Sequence, residues 1–157
     1  MSIPQTLSTS MGKVVVTLKL MNWADEVLAD RGFISADEIR ACTVDNAIVD
    51  TGASSLCLPA DVIQQLGLKQ TATIEARTAV GLQTLEVYEG IKLSVEGREG
   101  RYDCVALPAG QPPLLGLIPL EDLGLEPDLQ NQRLRHLPSQ GKDTYHMVLQ
   151  VGGAGKA

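Results

Sequence analysis

The chain has 157 residues, 44% of them apolar but only 3% aromatic, which suits one domain with a core of Val, Leu, Ile and Ala and no need of disulfide staples. That composition favours short strands interleaved with small helices. A formal net charge of −6, with no cluster of Lys and Arg, argues against nucleic acid or an anionic membrane as partner.

Cys42, Cys57 and Cys104 form an odd set without a C-x-x-C spacing, and His136 and His146 lie far from Cys42 and Cys57 along the chain. No metal site is expected, and the thiols read as small core hydrophobes in a reducing compartment. No apolar run approaches the ~20 residues of a membrane span, and the opening MSIPQTLSTSMGK lacks the basic-then-apolar order of a signal peptide. A soluble, cytoplasmic protein without a membrane partner is the expectation.

Residues 1–12 and 152–157 read as disordered tails around a single domain spanning 13–151. KVVVTLKL at 13–20 is a strand by its β-branched content and partial alternation. The segment at 22–41 has helical spacing at Val27, Leu28 and Ile39, a break at Gly32, and Ser35 followed three residues on by Glu38, a capping-box pattern. It is an excursion from a β framework. ACTVDNAIVD at 41–50 returns to strand, with Asp45-Asn46 as a tight turn.

LPADVIQQLGL at 58–68 predicts a helix of about two turns, opened by Pro59 and stopped at Gly67. From 71 to 107 the pattern predicts two successive hairpins, the first tipped at Gly81 and the second turning at Gly97 to Gly100. PPLLGLIPLEDLGLEPD at 112–128 gives an apolar run, a glycine and a Pro-initiated helix ending near Gly124. Its layout echoes 48–68, which suggests two related half-structures facing each other. The stretch 128–142 reads as connecting loop, and TYHMVLQV at 144–151 as a final strand.

One loop carries chemistry. Asp50-Thr51-Gly52 follows Ala47, Ile48 and Val49 and precedes Ala53, Ser54 and Ser55. This presents a carboxylate at the end of an apolar strand, with Gly52 permitting a close backbone approach. The bland alternative is an aspartate that caps its own turn. Ser54 and Ser55 have no His or Lys partner motif and read as loop-capping residues. His136 and His146 read as surface or strand-end residues, and Trp23 and Tyr88 as core or edge packing.

Asp-Thr-Gly-Ala after apolar residues, a glycine-tipped hairpin about thirty residues later, and Leu114-Leu115-Gly116 with a short helix beyond it together resemble the retropepsin-like aspartic proteases over roughly residues 13–125. The resemblance implies a mainly β fold, a closed β-barrel domain of acid-protease type with one or two short helices, active as a homodimer on peptide or protein substrates without a cofactor. It makes Asp50 the catalytic carboxylate, Thr51 the residue that cross-links the two loops, and Gly52 and Ala53 the flank of the substrate backbone. Val80, Gly81 and Leu82 become the tip of a flap over the bound peptide, and Leu114, Leu115 and Gly116 the packed segment behind the catalytic loop.

Three features depart from the viral members. The flap has one glycine where viral flaps have several, Gly116 is followed by Leu117-Ile118-Pro119 in place of an Arg-containing continuation, and 22–39 and the tail beyond 125 have no viral counterpart. These extra segments bring the chain closer to small cellular and bacterial relatives. No second Asp-Thr-Gly or Asp-Ser-Gly occurs, so the second carboxylate is expected from another copy. The alternative readings are a catalytically silent dimerisation or peptide-binding module of the same fold, and a protease that trims only itself or one partner.

Overall fold

The computed structural model describes residues 13–138. Strand β1, Val15–Asn22, alternates exposed and buried side chains because its sequence alternates, and Val16, Leu18 and Leu20 all turn inward. Helix α1, Trp23–Asp30, follows directly; the Asn22 side chain caps it by accepting from the Asp25 N–H at 3.0 Å. A 3-10 turn at Ala36–Glu38 comes next, where the Ser35 N–H donates to Glu38 Oε1 as the capping-box spacing anticipated.

Strand β2, Ala41–Val49, runs antiparallel to β1 without a break. The tight turn expected at Asp45-Asn46 is instead a β-bulge. Val16 pairs with Ala47 and Leu18 with Val44, so two residues of β2 stand opposite one of β1. Strand β3, Leu56–Pro59, leads into helix α2, Ala60–Leu66, which buries Ile63 and Leu66 and ends at Gly67 in the left-handed conformation. Pro59 caps the helix from outside rather than opening it.

Strands β4, Lys69–Thr78, β5, Gly81–Val95, and β6, Arg98–Leu107, form the two predicted hairpins. The second turn is tighter than expected: Val95 pairs with Arg98, and only Glu96 and Gly97 lie between, both at positive φ. Gly100 is inside β6, opposite Leu93.

After β7, Leu114–Leu115, helix α3, Leu117–Leu123, buries Pro119, Leu120 and Leu123 and ends at left-handed Gly124. Both halves of the suspected repeat thus finish alike, in a seven-residue helix, a left-handed glycine and a leucine. Among the described residues there are three short α-helices, where one or two were expected.

The connecting loop predicted at 128–142 is partly strand. β8, Leu125–Asp128, pairs antiparallel with β9, Arg133–His136, and Leu134 is buried in the main core. The polar composition of 128–133 hid this, because one inward leucine gives no visible period. The final strand predicted at 144–151 lies outside the described residues.

Pairing runs β1-β2-β7-β3-β6-β5, and β5 returns to β1 through Lys19–Ser94 to Asn22–Ile91, so six strands close into a ring with β4 added outside β5. Leu18, Leu20, Leu56, Leu58, Ile91 and Leu93 fill the ring, all essentially inaccessible. Each contributes roughly 2 kcal/mol by leaving water. The class is mainly β, as expected. Among the described residues no helix is long and apolar enough to cross a membrane.

Candidate active site

Two strands that do not follow each other in the chain hold the Asp50 loop. β7 lies between β2 and β3, parallel to the first and antiparallel to the second. β2 supplies the chain entering the loop and β3 the chain leaving it, so β7 is a post to which both ends are tied. The Asp50 N–H donates to the Leu115 carbonyl at 3.0 Å, the Leu117 N–H to the Ala53 carbonyl at 2.8 Å, and the Ile118 N–H to the Ser54 carbonyl at 2.9 Å.

These bonds require a close passage at Gly116. A Cβ there would stand 2.2 Å from the Ser55 carbonyl oxygen and 2.8 Å from that of Ala53. Leu114, Leu115 and Gly116 therefore pack directly against the Asp50 loop.

Asp50 itself is half-buried at the loop's start, while Thr51 and Gly52 are exposed. Its Oδ1 accepts from the Gly52 N–H at 2.9 Å, and its carbonyl accepts from the Ala53 N–H at 3.1 Å. The first bond is the self-capping arrangement of the bland reading. It uses one carboxylate oxygen, and among the described residues Oδ2 has no hydrogen-bond partner. A carboxylate so placed can both orient by one oxygen and exchange protons by the other.

Cys57 is the nearest of the three free thiols in sequence, and its Sγ lies 3.6 Å from the Ser55 carbonyl. Burial, and then the charge of Asp50, push this thiol up to about 11. Cys104 is pushed up to about 12, by burial first and then by the charges of Cys57 and Asp103. Both pack as small apolar groups. Among the described residues no group of three or more His, Cys, Asp or Glu is arranged to hold a metal ion.

The hairpin of β4 and β5 pairs from Lys69–Glu89 out to Thr78–Gly81, leaving Ala79 and Val80 as the connection. Neither connecting residue has positive φ; the left-handed excursion falls on Gly81, at φ 108°. Thr78 braces the tip, its Oγ1 donating to the Gly81 carbonyl and accepting from the Val80 N–H. Val80 and Leu82 are 77% and 65% exposed, an apolar tip left uncovered among the described residues.

A groove of about 1070 Å³ starts at Ser55 and Leu56, where the loop enters β3, and reaches Ile74 and Val87 on the hairpin. Asp50 does not line it. Its far wall is α1, with Trp23 38% exposed and under the Arg101 guanidinium at 4.9 Å. Of the two places expected for Trp23, core or edge, it takes the edge, where it lines the groove. Nothing in the sequence of 22–39 marked this wall except the apolar residues first read as helix packing.

A family model described as "gag-polyprotein putative aspartyl protease" matches residues 41–122, just over half of the chain and inclusive of the Asp50 loop, the β4–β5 hairpin and Leu114-Leu115-Gly116. No curated protein is similar enough in sequence to stand as a relative.

Proposed function

Because the chain belongs to the aspartyl protease family of gag-polyprotein type, we propose that it is an aspartic endopeptidase active as a homodimer, with Asp50 of each copy forming the catalytic pair. The observation that carries this reading is a single solvent-reaching carboxylate on a loop pinned by backbone hydrogen bonds to β7. Such pinning fixes a reacting group without relying on flexible side chains.

One carboxylate per chain is insufficient for the chemistry. Two carboxylates a few ångström apart cannot both ionise easily, so the pair holds one proton between them, as in aspartic proteases generally. The ionised member takes a proton from a bound water, whose oxygen attacks the peptide carbonyl. The protonated member hydrogen-bonds the developing oxyanion, and a proton then passes to the leaving amine as the C–N bond breaks. The titration belongs to the pair and not to either Asp50.

Exposed Thr51 and Gly52 supply the surface through which two loops meet, with Thr51 linking them and Gly52 and Ala53 flanking the substrate backbone. The hairpin tip at Val80, Gly81 and Leu82 covers the bound peptide, its exposed apolar side chains closing over the substrate. An extended peptide held between tip and loops pairs as a strand and is selected by side-chain pockets.

The test joins particle mass in solution with peptide cleavage by wild type and Asp50→Asn. A dimer whose turnover falls at least about a thousandfold in the variant, with its thermal midpoint kept, is expected. Cleavage by a strict monomer, or unchanged cleavage by Asp50→Asn, refutes the proposal.

A further inference from the structure

Helix α1 is inside out. A helix that serves only to cover a core buries an apolar stripe, yet the one buried side chain of α1 is Asp25, while Trp23 and Leu28 are 38% and 40% exposed. Polar contacts hold it from beneath. Asp25 receives Arg40 through Nε at 2.8 Å and Nη2 at 3.0 Å and also accepts the Arg40 N–H, Asn22 donates to the Leu66 carbonyl at 2.8 Å, and Lys92 pairs with Glu26 at 2.7 Å. The apolar side chains are left for something else.

They face the groove already described. Trp23 and Leu28 on α1, Ile74 on β4 and Ile118 on α3 all line it, and each is at least 38% exposed, so four of the chain's large exposed hydrophobics converge on one concavity. Its charge is uneven. Glu89, Asp103 and Arg101 line it; the guanidinium lies over Trp23, and among the described residues neither carboxylate makes an ion pair, although Lys69 stands opposite Glu89 in the strand register. The groove also joins the loop side of the candidate site, beginning at Ser55 and Leu56. Helix α1 lies outside residues 41–122, so this wall is an addition of this chain to the matched region.

We propose that this groove is an extended recognition site for the polypeptide substrate, taking a bulky aliphatic side chain with a Lys or Arg beside it, at a distance from the scissile bond. It rests on the protease reading for its purpose, though its occupancy is measurable without cleavage. The aliphatic group fills the space between Leu28, Ile74 and Ile118, and the cation lies against Glu89 and Asp103. Anchoring of α1 through Asp25 and Glu26 keeps the wall in place before binding, which lowers the ordering cost.

The chain has a single tryptophan, Trp23, so its emission reports the groove directly. Full-length protein carrying Asp50→Asn is titrated with the amide of acetyl-Leu-Lys-Val-Lys-Leu-Lys and with its counterpart bearing glutamates in place of lysines. The basic peptide should shift Trp23 emission saturably and bind about tenfold tighter than the acidic one, and Leu28→Ser or Ile74→Ser should each weaken it several-fold. Equal response to both peptides, or no response to either, overturns the proposal. So does a Trp23 signal that follows protein concentration without peptide, since the groove is then a contact between copies. In parallel, wild-type protein digests a proteome-derived peptide library. Enrichment of aliphatic-basic pairs on one side of the cut supports the groove, and cuts without it oppose it. If no cuts occur, the protease reading fails alone, and the titration still decides the groove.

Discussion

Replacing Gly116 by Ala should damage both stability and the site, and the size of the effect follows from the geometry. The backbone at Gly116 is extended, at φ −88° and ψ −172°, which any residue adopts, so the whole penalty is steric. An added Cβ meets the Ser55 carbonyl oxygen at 2.2 Å, the Ser55 carbonyl carbon at 2.8 Å and the Ala53 oxygen at 2.8 Å. The obstacles are backbone atoms, so no side chain can rotate away.

Relief requires the loop and β7 to separate by about 1 Å, enough to stretch the Leu117–Ala53 and Ile118–Ser54 hydrogen bonds from 2.8 and 2.9 Å out of bonding range. Two backbone bonds at about 1 kcal/mol each, with overpacking of about 2 kcal/mol, give a loss near 4 kcal/mol. For a chain of this length that lowers the melting temperature by roughly 8–16 °C. Calorimetry or urea unfolding measures it, beside Gly81→Ala, where φ is 108° but no atom lies within 4 Å and the cost should be only about 1–2 kcal/mol. Peptide cleavage should fall in Gly116→Ala even at temperatures where it stays folded, because the Asp50 loop has been displaced. A loss under about 1 kcal/mol would show that the loop slides freely past β7 and would refute the pinned-loop reasoning.

The hydrogen bonds and charge of Arg40 hold Asp25 below the ordinary carboxylate value of 3.8. A depressed carboxylate adds stability that is complete above its unfolded value, so this contribution should vanish as pH falls from about 4 through the lower folded value, and Asp25→Asn should flatten that limb of the stability profile. Leu134→Ala should cost about 2–4 kcal/mol in urea unfolding if β9 truly closes the core, whereas a loop leucine would cost under 1. Native protein at pH 8 should leave Cys57 and Cys104 unalkylated by iodoacetamide for hours, since on the order of one thiol in a thousand or fewer is ionised, and both should react on unfolding. Rapid modification of either in the folded state would contradict their burial.

The strands were legible where one face meets the core. VVTLKLMN at 15–22 alternates in sequence because it alternates in burial, and the helices at 60–66 and 117–123 announce their ends by Gly67 and Gly124. The Asp50 loop was legible too, as a carboxylate between an apolar strand and small residues, and so was the hairpin tip at Gly81, since both depend on neighbours within a few positions.

Other features were settled by partners distant in sequence. The bulge at Asp45-Asn46 exists because β1 and β2 fall out of step, a relation between two strands that neither shows alone. Leu134 becomes core only when β9 folds back on β8, and Gly116 becomes irreplaceable only when Ser55 is brought against it from 61 positions away. Asp25 could be buried on a helix because Arg40 meets it across the excursion, and that inversion turned Trp23 and Leu28 outward to form the groove. Local periodicity marked β1, the two hairpins and the helices at 60–66 and 117–123, since those choices cost and gain free energy within a few bonds; the β8–β9 pair, closure of the ring, the pinning of Asp50 and the outward face of α1 were left to contacts that exist only once the chain has folded.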